Sequence, residues 1–338
     1  MIRVGVAGAS GYTAGELLRL LPLHPEVDVA WCYSHSRAGE RAGDTHDGLG
    51  ALHELRFTDA PSPEVDAVFL CLGHGHSGAW LERYLPGLPA GVRVVDLSAD
   101  FRRGAAAAPS GETWPEAHGR RWVYGLTEAH ADEVRAADAV ANPGCFATAL
   151  QLGLLPLASA GLLVESPVSA HAITGATGAG RGLSATTHFS WRVDNVSVYK
   201  PFRHQHLGEV RATLTQASGP GSALAPLHFV PMRGPFARGI FASLHVACAQ
   251  SAEELRALYA EVYADEPFAR VFESPIHLKE VVNTNRVALH VDAFDGQAHV
   301  TVALDNLLKG AVGQAVENLN LLFGLPRATG LQLKGSAF

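Results

Sequence analysis

The first twenty-one residues constrain the fold of this chain more than any other segment. The run IRVGVAG is typical of a short buried strand that ends in glycine, and AGELLRLL follows with leucines at helical spacing. Backbone N–H groups in the glycine turn between them, at the start of a helix, can hold a pyrophosphate. The candidate cofactor-binding residues of this turn are Gly8, Ser10, Gly11, Tyr12, Thr13 and Gly15.

Later strand-like runs support a dinucleotide-binding domain. VDVAWCY, VDAVFLCL, VRVVDLS and DAVAN alternate with helical or loop segments, as a parallel sheet requires. A glycine turn that only caps a helix is the alternative, and the strands that follow disfavour it. The sequence therefore predicts an α/β chain with an N-terminal Rossmann domain.

The end of the second strand indicates the cofactor. NAD-specific sites usually place an acidic residue there, whereas this chain reads YSHSRAGER, with Ser34, Ser36 and Arg37. Two hydroxyls and a guanidinium suit a 2′-phosphate, so NADPH/NADP⁺ is the expected cofactor. A polar loop that faces water is the competing interpretation for any one of these residues.

The second half changes pattern. GIFASLHVAC alternates with period two, SAEELRALYAEVY opens with a capping box, and RVALHVDAFDGQAHVTVAL reads as a hairpin around Asp295-Gly296. This predicts an α+β domain with a largely antiparallel sheet, through which the chain forms a homodimer or homotetramer. We expect residues 145–305 to form this catalytic and dimerisation domain, and residues 1–144 plus 306–338 to form the dinucleotide-binding domain.

Charge and cysteine content exclude several function classes. A net charge of −7 without basic runs argues against nucleic-acid and membrane partners and favours a small-molecule substrate. The four widely spaced cysteines and the absence of a signal-peptide pattern predict a cytoplasmic protein. The uncharged run FATALQLGLLPLASAGLLV contains Gln151 and Pro156 and predicts a buried helix and turn, not a membrane span.

One cysteine is placed for chemistry. Cys145 follows Asn-Pro-Gly at the end of a strand and precedes a helical pattern, so we expect its sulfur at a helix N-terminus, which favours thiolate. A thiolate beside a nicotinamide predicts acyl transfer coupled to hydride transfer. The helix that begins near HQHLGE places His206 and Glu209 three residues apart as acid/base and orienting partner.

Other segments leave alternatives open. The pairs His74/His76 and His204/His206 raise a metal-dependent hydrolase as a minor alternative, although no third ligand is evident and we expect no metal. Ser98 with Arg102 and Arg103, and Arg181 after the flexible glycine loop GATGAGRG, offer donors for an anionic substrate. An exposed arginine on a surface loop is the competing interpretation for each.

Together these motifs resemble the N-acetyl-gamma-glutamyl-phosphate reductase family of the aspartate-semialdehyde-dehydrogenase-like superfamily. The segments GASGYTAGELLRLL, DLSADFR, NPGCFATA, GATGAGR, HQHLGE, NTNR and DNLLKGAVGQAVENLN occur in the family's order over nearly the whole chain. The resemblance implies NADPH-dependent reduction of an N-acylglutamyl 5-phosphate to the semialdehyde with release of phosphate. It also implies a second domain of the semialdehyde-dehydrogenase and glyceraldehyde-3-phosphate-dehydrogenase type, and a C-terminal helix that returns to the dinucleotide domain.

Residue roles follow from the same resemblance. Cys145 would form the thioester, and His206 would act as acid/base with Glu209 and Tyr199 assisting. Asn306 and Ser98 would contact the cofactor, and the expected substrate binders are Arg102, Asn142, Arg181 and Tyr199. N-succinylglutamyl or carrier-linked aminoadipyl phosphate, aspartate semialdehyde, and a non-catalytic NADP-binding sensor remain alternatives.

Overall fold

A computed structural model of the 338-residue chain describes residues 1–102, 115–219 and 222–336. The chain divides into two compact units, the first formed by Met1–Pro143 with Ala311–Gln332 and the second by Gly144–Gly310 with the residues from Leu333 on. Arg103 lies outside the described residues.

The first unit is built on an eight-stranded sheet whose order is β3-β2-β1-β4-β5-β8-β7-β6. All neighbouring strands are parallel except the pair β6 and β7. The strands are β1 (Ile2–Ala7), β2 (Val27–Tyr33), β3 (Phe57–Thr58), β4 (Ala67–Leu70), β5 (Arg93–Asp96), β6 (Glu116–Ala117), β7 (Arg120–Tyr124) and β8 (Ala139–Ala141). Their helices are α1 (Tyr12–Leu20), α2 (Ser77–Tyr84), α3 (Thr127–Arg135) and α8 (Gly313–Leu322).

This topology confirms the α/β prediction and locates the ligand-binding edge. The strand order reverses between β1 and β4, and ligands of such sheets bind at the carboxyl ends of the strands at that point. The glycine turn predicted from the sequence lies there, directly after β1.

The second unit contains a seven-stranded sheet of order β10-β11-β9-β12-β15-β14-β13. Four of its six strand pairs are antiparallel, which confirms the predicted sheet type. The strands are β9 (Val168–Thr174), β10 (Ser197–Val198), β11 (Leu227–Arg233), β12 (Ile240–Ala247), β13 (Ala269–Val271), β14 (Val287–Phe294) and β15 (Gln297–Leu304). The helices are α4 (Cys145–Ser159), α5 (Phe189–Arg192), α6 (Leu207–Ala217) and α7 (Ala252–Val262).

Local sequence signals explain several of these boundaries. Asp295 and Gly296 both have positive φ in the two-residue turn between β14 and β15, as a tight hairpin requires. Ser251 caps α7 and forms the predicted capping box with Glu254. The uncharged run after Cys145 forms the buried helix α4, and no helix in the described part of the chain is long and apolar enough to span a bilayer.

The structure adds detail to two of the expectations. Residues 306–310 and the chain from Leu333 on belong to the second unit, because Asn306 bonds to Gly239 and Ser336 donates its N–H to Val282. The segment GATGAGRG is not simply a flexible loop, since Ala176–Ala179 forms a 3₁₀ turn.

Candidate active site

The turn between β1 and α1 has the geometry that a dinucleotide phosphate requires. Gly8 has φ of +77°, and a Cβ added there would lie 2.5 Å from the carbonyl oxygen of Cys71. Gly11 is the N-cap of α1, with no side-chain cap and no acidic residue in the first turn. Tyr12 and Thr13 open the helix, so this N-terminus favours a bound anion.

Gly15 serves packing. A Cβ on Gly15 would lie 2.4 Å from Nδ1 of His46, whose Nε2 is 2.7 Å from the carbonyl oxygen of Ala9. Glycine at this position lets α1 approach the histidine that supports the turn after β1.

The hydroxyl and guanidinium groups after β2 have different surroundings. Ser34 is buried, and its Oγ donates to Oγ of Ser10 at 3.3 Å, which ties the end of β2 to the phosphate turn. Ser36 is exposed, and Arg37 is half-buried with Nη1 2.9 Å from the carboxylate of Glu40. Ser36 and Arg37 are therefore the accessible candidates for a 2′-phosphate.

Ser98 and Arg102 lie buried beyond β5. Oγ of Ser98 donates to Asp96 at 2.6 Å. Arg102 donates from Nε to the carbonyl oxygen of Asn142 at 2.7 Å and from Nη2 to that of Leu97 at 2.6 Å. Both side chains thus hold the backbone at the carboxyl ends of β5 and β8.

Asn142 has a similar supporting position. Its Nδ2 donates to the carbonyl oxygen of Ala311 at 3.0 Å, and its Oδ1 accepts from Nδ2 of Asn318 at 3.0 Å. The side chain is fully buried, so it joins β8 to the start of α8 within the first unit.

Cys145 begins helix α4, as the sequence predicts. The N-cap is Gly144, with no side-chain cap and no acidic residue in the first turn. Every residue from Ala139 to Leu150 is buried except Cys145, which is partly exposed. By contrast, burial raises the pKa of the Cys32 thiol to about 12. Of the four thiols, Cys145 alone combines access to solvent with a helix N-terminus.

His206 and Glu209 converge on the residue before the cysteine. A Cβ on Gly144 would lie 2.3 Å from Nε2 of His206, so glycine is required for the ring to approach here. His206 is the N-cap of α6, and Glu209 lies in its first turn. The buried carboxylate of Glu209 accepts the backbone N–H of Gly144 at 3.0 Å. The second unit therefore brings Cys145, His206 and Glu209 together.

A second histidine supports the first. The ring of His204 lies 4.6 Å from that of His206 between centroids, and Nδ1 of His204 accepts the backbone N–H of His206 at 3.3 Å. Burial, with a smaller effect of the Lys200 charge, lowers the pKa of His204 to about 4. His204 is therefore neutral at pH 7, and its proton lies on Nε2.

Tyr199 completes the aromatic surroundings. Burial raises the pKa of its phenol, and the neighbouring Cys145 adds to the shift. The guanidinium of Arg233 lies 4.7 Å from the centre of its ring. Tyr199 thus stays protonated near the thiol and can donate a hydrogen bond.

Asn306 and Arg181 are not equivalent candidates. Asn306 is buried, with Oδ1 accepting from the N–H of Gly239 at 2.7 Å and Nδ2 donating to Oγ1 of Thr177 at 3.1 Å. Arg181 is exposed after the 3₁₀ turn. Arg181 is therefore accessible to an anionic substrate, whereas Asn306 fastens the turn.

The histidine pairs do not form a metal centre of the usual kind. Within residues 1–102, 115–219 and 222–336, no group of three or more His, Cys, Asp or Glu side chains is arranged to hold a metal ion. Nδ1 of His74 accepts the N–H of Ala99 at 3.0 Å, which gives that histidine a role in its loop.

Two residues at this site were not singled out from the sequence. Gly144 accommodates the His206 ring, and a Cβ on Gly310 would lie only 2.9 Å from Cβ of Cys145. The motifs NPGC and LKGAVG contain these glycines, but the side chain that each one accommodates depends on long-range packing.

The arrangement supports covalent acyl chemistry. The Cys145 thiol is partly exposed at a helix N-terminus. The His206 imidazole packs against the preceding residue, and the protonated phenol of Tyr199 is nearby. These groups can form a thioester, move a proton and stabilise a developing oxyanion.

Comparison with known proteins identifies two semialdehyde dehydrogenase domains in the chain. Residues 3–137 match the family model described as semialdehyde dehydrogenase, NAD binding domain. Residues 145–306 match the model described as semialdehyde dehydrogenase, dimerisation domain. The chain is 44% identical to the N-acetyl-gamma-glutamyl-phosphate reductase of Phocaeicola vulgatus and 45% identical to that of Flavobacterium johnsoniae, with 100% of each chain covered.

This chain belongs to the N-acetyl-gamma-glutamyl-phosphate reductase family. The family resemblance inferred from the motifs is thereby confirmed, and the family's two domain models correspond to the two units of the fold. The chain is an oxidoreductase of the semialdehyde dehydrogenase type with an NAD-binding domain.

Solved structures show the same fold at low identity. Aspartate semialdehyde dehydrogenase II from Vibrio cholerae matches with a TM-score of 0.70 at 17% identity, covering 96% of this chain and 99% of that one. The Candida albicans aspartate semialdehyde dehydrogenase, solved with NADP, matches with a TM-score of 0.67 at 15% identity, covering 96% and 98%.

Proposed function

We propose that the chain catalyses the NADPH-dependent reduction of N-acetyl-L-glutamyl 5-phosphate to N-acetyl-L-glutamate 5-semialdehyde, with release of phosphate. The observation that carries this proposal is the position of Cys145, partly exposed at the first residue of α4 with the His206 ring against Gly144. Relatives of 43–45% identity over the full chain carry the name of this activity.

The cofactor site fits NADPH. The uncapped start of α1 suits the pyrophosphate, and Ser36 and Arg37 lie accessible after β2, where a 2′-phosphate binds in such folds. When bound, NADPH supplies the hydride that reduces the thioester carbon.

Cys145 forms the covalent intermediate. Its Sγ attacks the carbonyl carbon of the acyl phosphate while His206 takes the thiol proton. The C–S bond forms, the C–O bond to phosphate breaks, and phosphate leaves with the bonding electrons and gains a proton from solvent. Glu209 favours the imidazolium that results, and the exposed Arg181 attracts the phosphate.

His206 then completes the reduction. After hydride addition, His206 donates its proton to the oxygen of the thiohemiacetal, with Tyr199 placed to donate a hydrogen bond there. The C–S bond breaks, the aldehyde leaves, and His206 recovers the hydroxyl proton as the thiolate is restored. The four free cysteines suit a reducing compartment, and we place the reaction in the cytoplasm.

The second unit also supports self-association. Helix α4 packs on the sheet face that carries Leu244 and Val302, and the opposite face exposes side chains. On β12, Ser243 donates or accepts hydrogen bonds with His245 and with His299 of β15. Because the matching family model is a dimerisation domain, we infer that a second copy binds this face as a homodimer or homotetramer.

The first experiment is the reverse reaction. Purified protein receives N-acetylglutamate semialdehyde, NADP⁺ and phosphate, and NADPH formation is followed. The proposal predicts phosphate-dependent turnover that exceeds turnover with N-succinylglutamate, N-acetylaminoadipate or aspartate semialdehyde. Folded protein that binds NADPH but turns over none of them would contradict the enzyme assignment and favour a sensor; preference for another aldehyde would change the substrate.

Self-association is tested by sedimentation. We expect an oligomer for the wild type and monomers for His245→Glu, which puts a carboxylate on the sheet face. His53→Glu changes an exposed histidine of the first unit and serves as the control. A monomeric wild type would contradict the assignment of this face.

A further inference from the structure

A partly buried ion pair holds the turn that ends beside the nucleophile. Asp305 follows β15 and is fully buried, and Arg238 bonds to both of its carboxylate oxygens, from Nε at 3.0 Å and from Nη2 at 3.2 Å. The same carboxylate accepts the backbone N–H of Leu307 at 2.8 Å and that of Asn283 at 2.8 Å. The guanidinium of Arg238 binds both carboxylate oxygens, and two backbone segments donate to the same carboxylate. The Asp305 side chain is therefore held in one orientation.

The turn closes on its own backbone. The carbonyl oxygen of Asp305 accepts the N–H of Gly310 at 2.9 Å. The position of Gly310 therefore depends directly on the orientation of Asp305. Asn306 within the turn is fastened as well, by its hydrogen bonds to Gly239 and Thr177. The turn Asp305–Gly310 is therefore fixed at its first two residues, Asp305 and Asn306, and at its last, Gly310.

Gly310 touches the residue that carries the thiol. A Cβ on Gly310 would lie 2.9 Å from Cβ of Cys145, which is closer than real Cβ atoms come, and 3.3 Å from its Cα. The imidazole of His206 approaches the preceding residue, Gly144, in the same way. The start of α4 is thus in contact with the His206 imidazole at Gly144 and with the backbone of Gly310 at Cys145.

We propose that the turn Asp305–Gly310, anchored by the Arg238–Asp305 ion pair, positions the Cys145 thiol for attack, with Gly310 as the contact. This inference rests on the proposed function, because it takes Cys145 as the nucleophile. Arg238, Asp305 and Gly310 are positioning residues: they act on the acyl group only through Cys145. A displacement of the sulfur by about 1 Å is enough to slow an oriented attack by roughly 100-fold.

The test compares Gly310→Ala with Gly91→Ala, which adds the same methyl group where nothing lies within 4 Å. For Gly310→Ala we expect kcat to fall by roughly 10- to 100-fold while KM changes by less than about twofold. Iodoacetamide alkylation of Cys145, followed by peptide mass spectrometry, should slow by about the same factor, and alkylation of Cys32, Cys71 and Cys248 should not. Gly91→Ala should match the wild type in every readout.

Arg238 provides an independent arm if Gly310→Ala does not fold. Arg238→Met removes the ion pair, and Arg238→Lys keeps the charge but loses the two-point contact. We expect Arg238→Lys to recover part of the kcat and part of the Cys145 alkylation rate that Arg238→Met loses. Equal rates in both variants and in the wild type would overturn the inference.

The outcomes separate the inference from the proposed function. Wild-type protein with phosphate-dependent activity and a fast-reacting Cys145, together with unchanged rates in folded Gly310→Ala, overturns the positioning role alone. A wild-type Cys145 that alkylates no faster than the other three thiols, in protein without activity, overturns both.

Discussion

Helices α1 and α4 begin in the same way and are used differently. Each follows a strand of the first sheet, has a glycine N-cap, and lacks both a side-chain cap and an acidic first-turn residue. At α1 the supporting contacts are those of Gly8 with the backbone at the end of β4 and of the His46 ring with the carbonyl oxygen of Ala9. At α4 they come from side chains and turns far away in sequence, including His206, Glu209 and Gly310. The backbone N–H groups at a helix start can hold an anion, whereas a nucleophile also needs a partner that accepts its proton.

The largest expected effect is the loss of activity when the thiol at the start of α4 is replaced, with cofactor binding at α1 unchanged. Cys145→Ser should lower kcat by at least about 10⁴-fold, because a serine hydroxyl at this position is not ionised at pH 7. NADPH binding at α1, measured by fluorescence, should not change. Cys248→Ser, which alters a buried thiol outside the site, is the control and should keep full activity. Retained activity in Cys145→Ser would remove the covalent step.

The second prediction separates two glycines at the start of α1. Gly8→Ala introduces strain at φ +77° and a 2.5 Å clash, and should lower the free energy of unfolding by about 1–3 kcal/mol. Gly11→Ala meets nothing closer than 3.9 Å, so it should fold with a loss below about 1 kcal/mol. Gly11→Ala should nevertheless raise the Kd for NADPH by about tenfold or more, because the methyl group occupies the phosphate position. Unchanged NADPH binding in Gly11→Ala would place the pyrophosphate elsewhere.

The third prediction concerns Arg37, the residue after β2 that we propose sets cofactor choice. Arg37→Ala should raise the Kd for NADPH about tenfold, equivalent to about 1.4 kcal/mol, and leave the Kd for NADH unchanged. Arg41→Ala removes a neighbouring half-buried arginine that pairs with Asp44 at 2.9 Å, and it should change neither constant. If Arg37→Ala weakens NADPH and NADH binding equally, Arg37 stabilises the fold and does not bind the 2′-phosphate.

The smallest effect tests the electrostatics around α4. The pKa of His204 is about 4 in the folded chain, so the unfolded chain binds a proton more readily as the pH falls through about 6.5. His204 therefore lowers the free energy of unfolding by about 1 kcal/mol between pH 7 and pH 5, after allowance for its partial contact with solvent. His204→Gln should lack this loss, as measured by urea unfolding at both pH values, and His53→Gln should retain it. Equal acid sensitivity in all three proteins would contradict the assignment.

Sequence patterns were sufficient where a site is built from consecutive residues. The order of strand, glycine turn and helix around Gly8 and Gly11 predicted the first unit and its ligand edge, because periodicity and turn chemistry act over a few residues. The hairpin at Asp295-Gly296 and the capping box at Ser251 were predictable for the same reason.

Contacts between distant segments were not predictable. The approach of Gly310 to Cys145 and the pairing of Arg238 with Asp305 depend on how β15 and the following turn pack, which no local pattern encodes. The division of the chain after Gly310 also depends on such contacts, whereas the sequence prediction places the boundary at residue 306.

The most direct test of the account is to trap the acyl group. Wild-type protein is mixed with NADP⁺ and N-acetylglutamate semialdehyde without phosphate, and NADPH absorbance and peptide masses are recorded. The account predicts a burst of about one NADPH per active site. It also predicts one N-acetylglutamyl group on the peptide that contains Cys145, released when phosphate is added. A mass gain on another residue, or sustained turnover without any acylated peptide, would contradict the central role of Cys145.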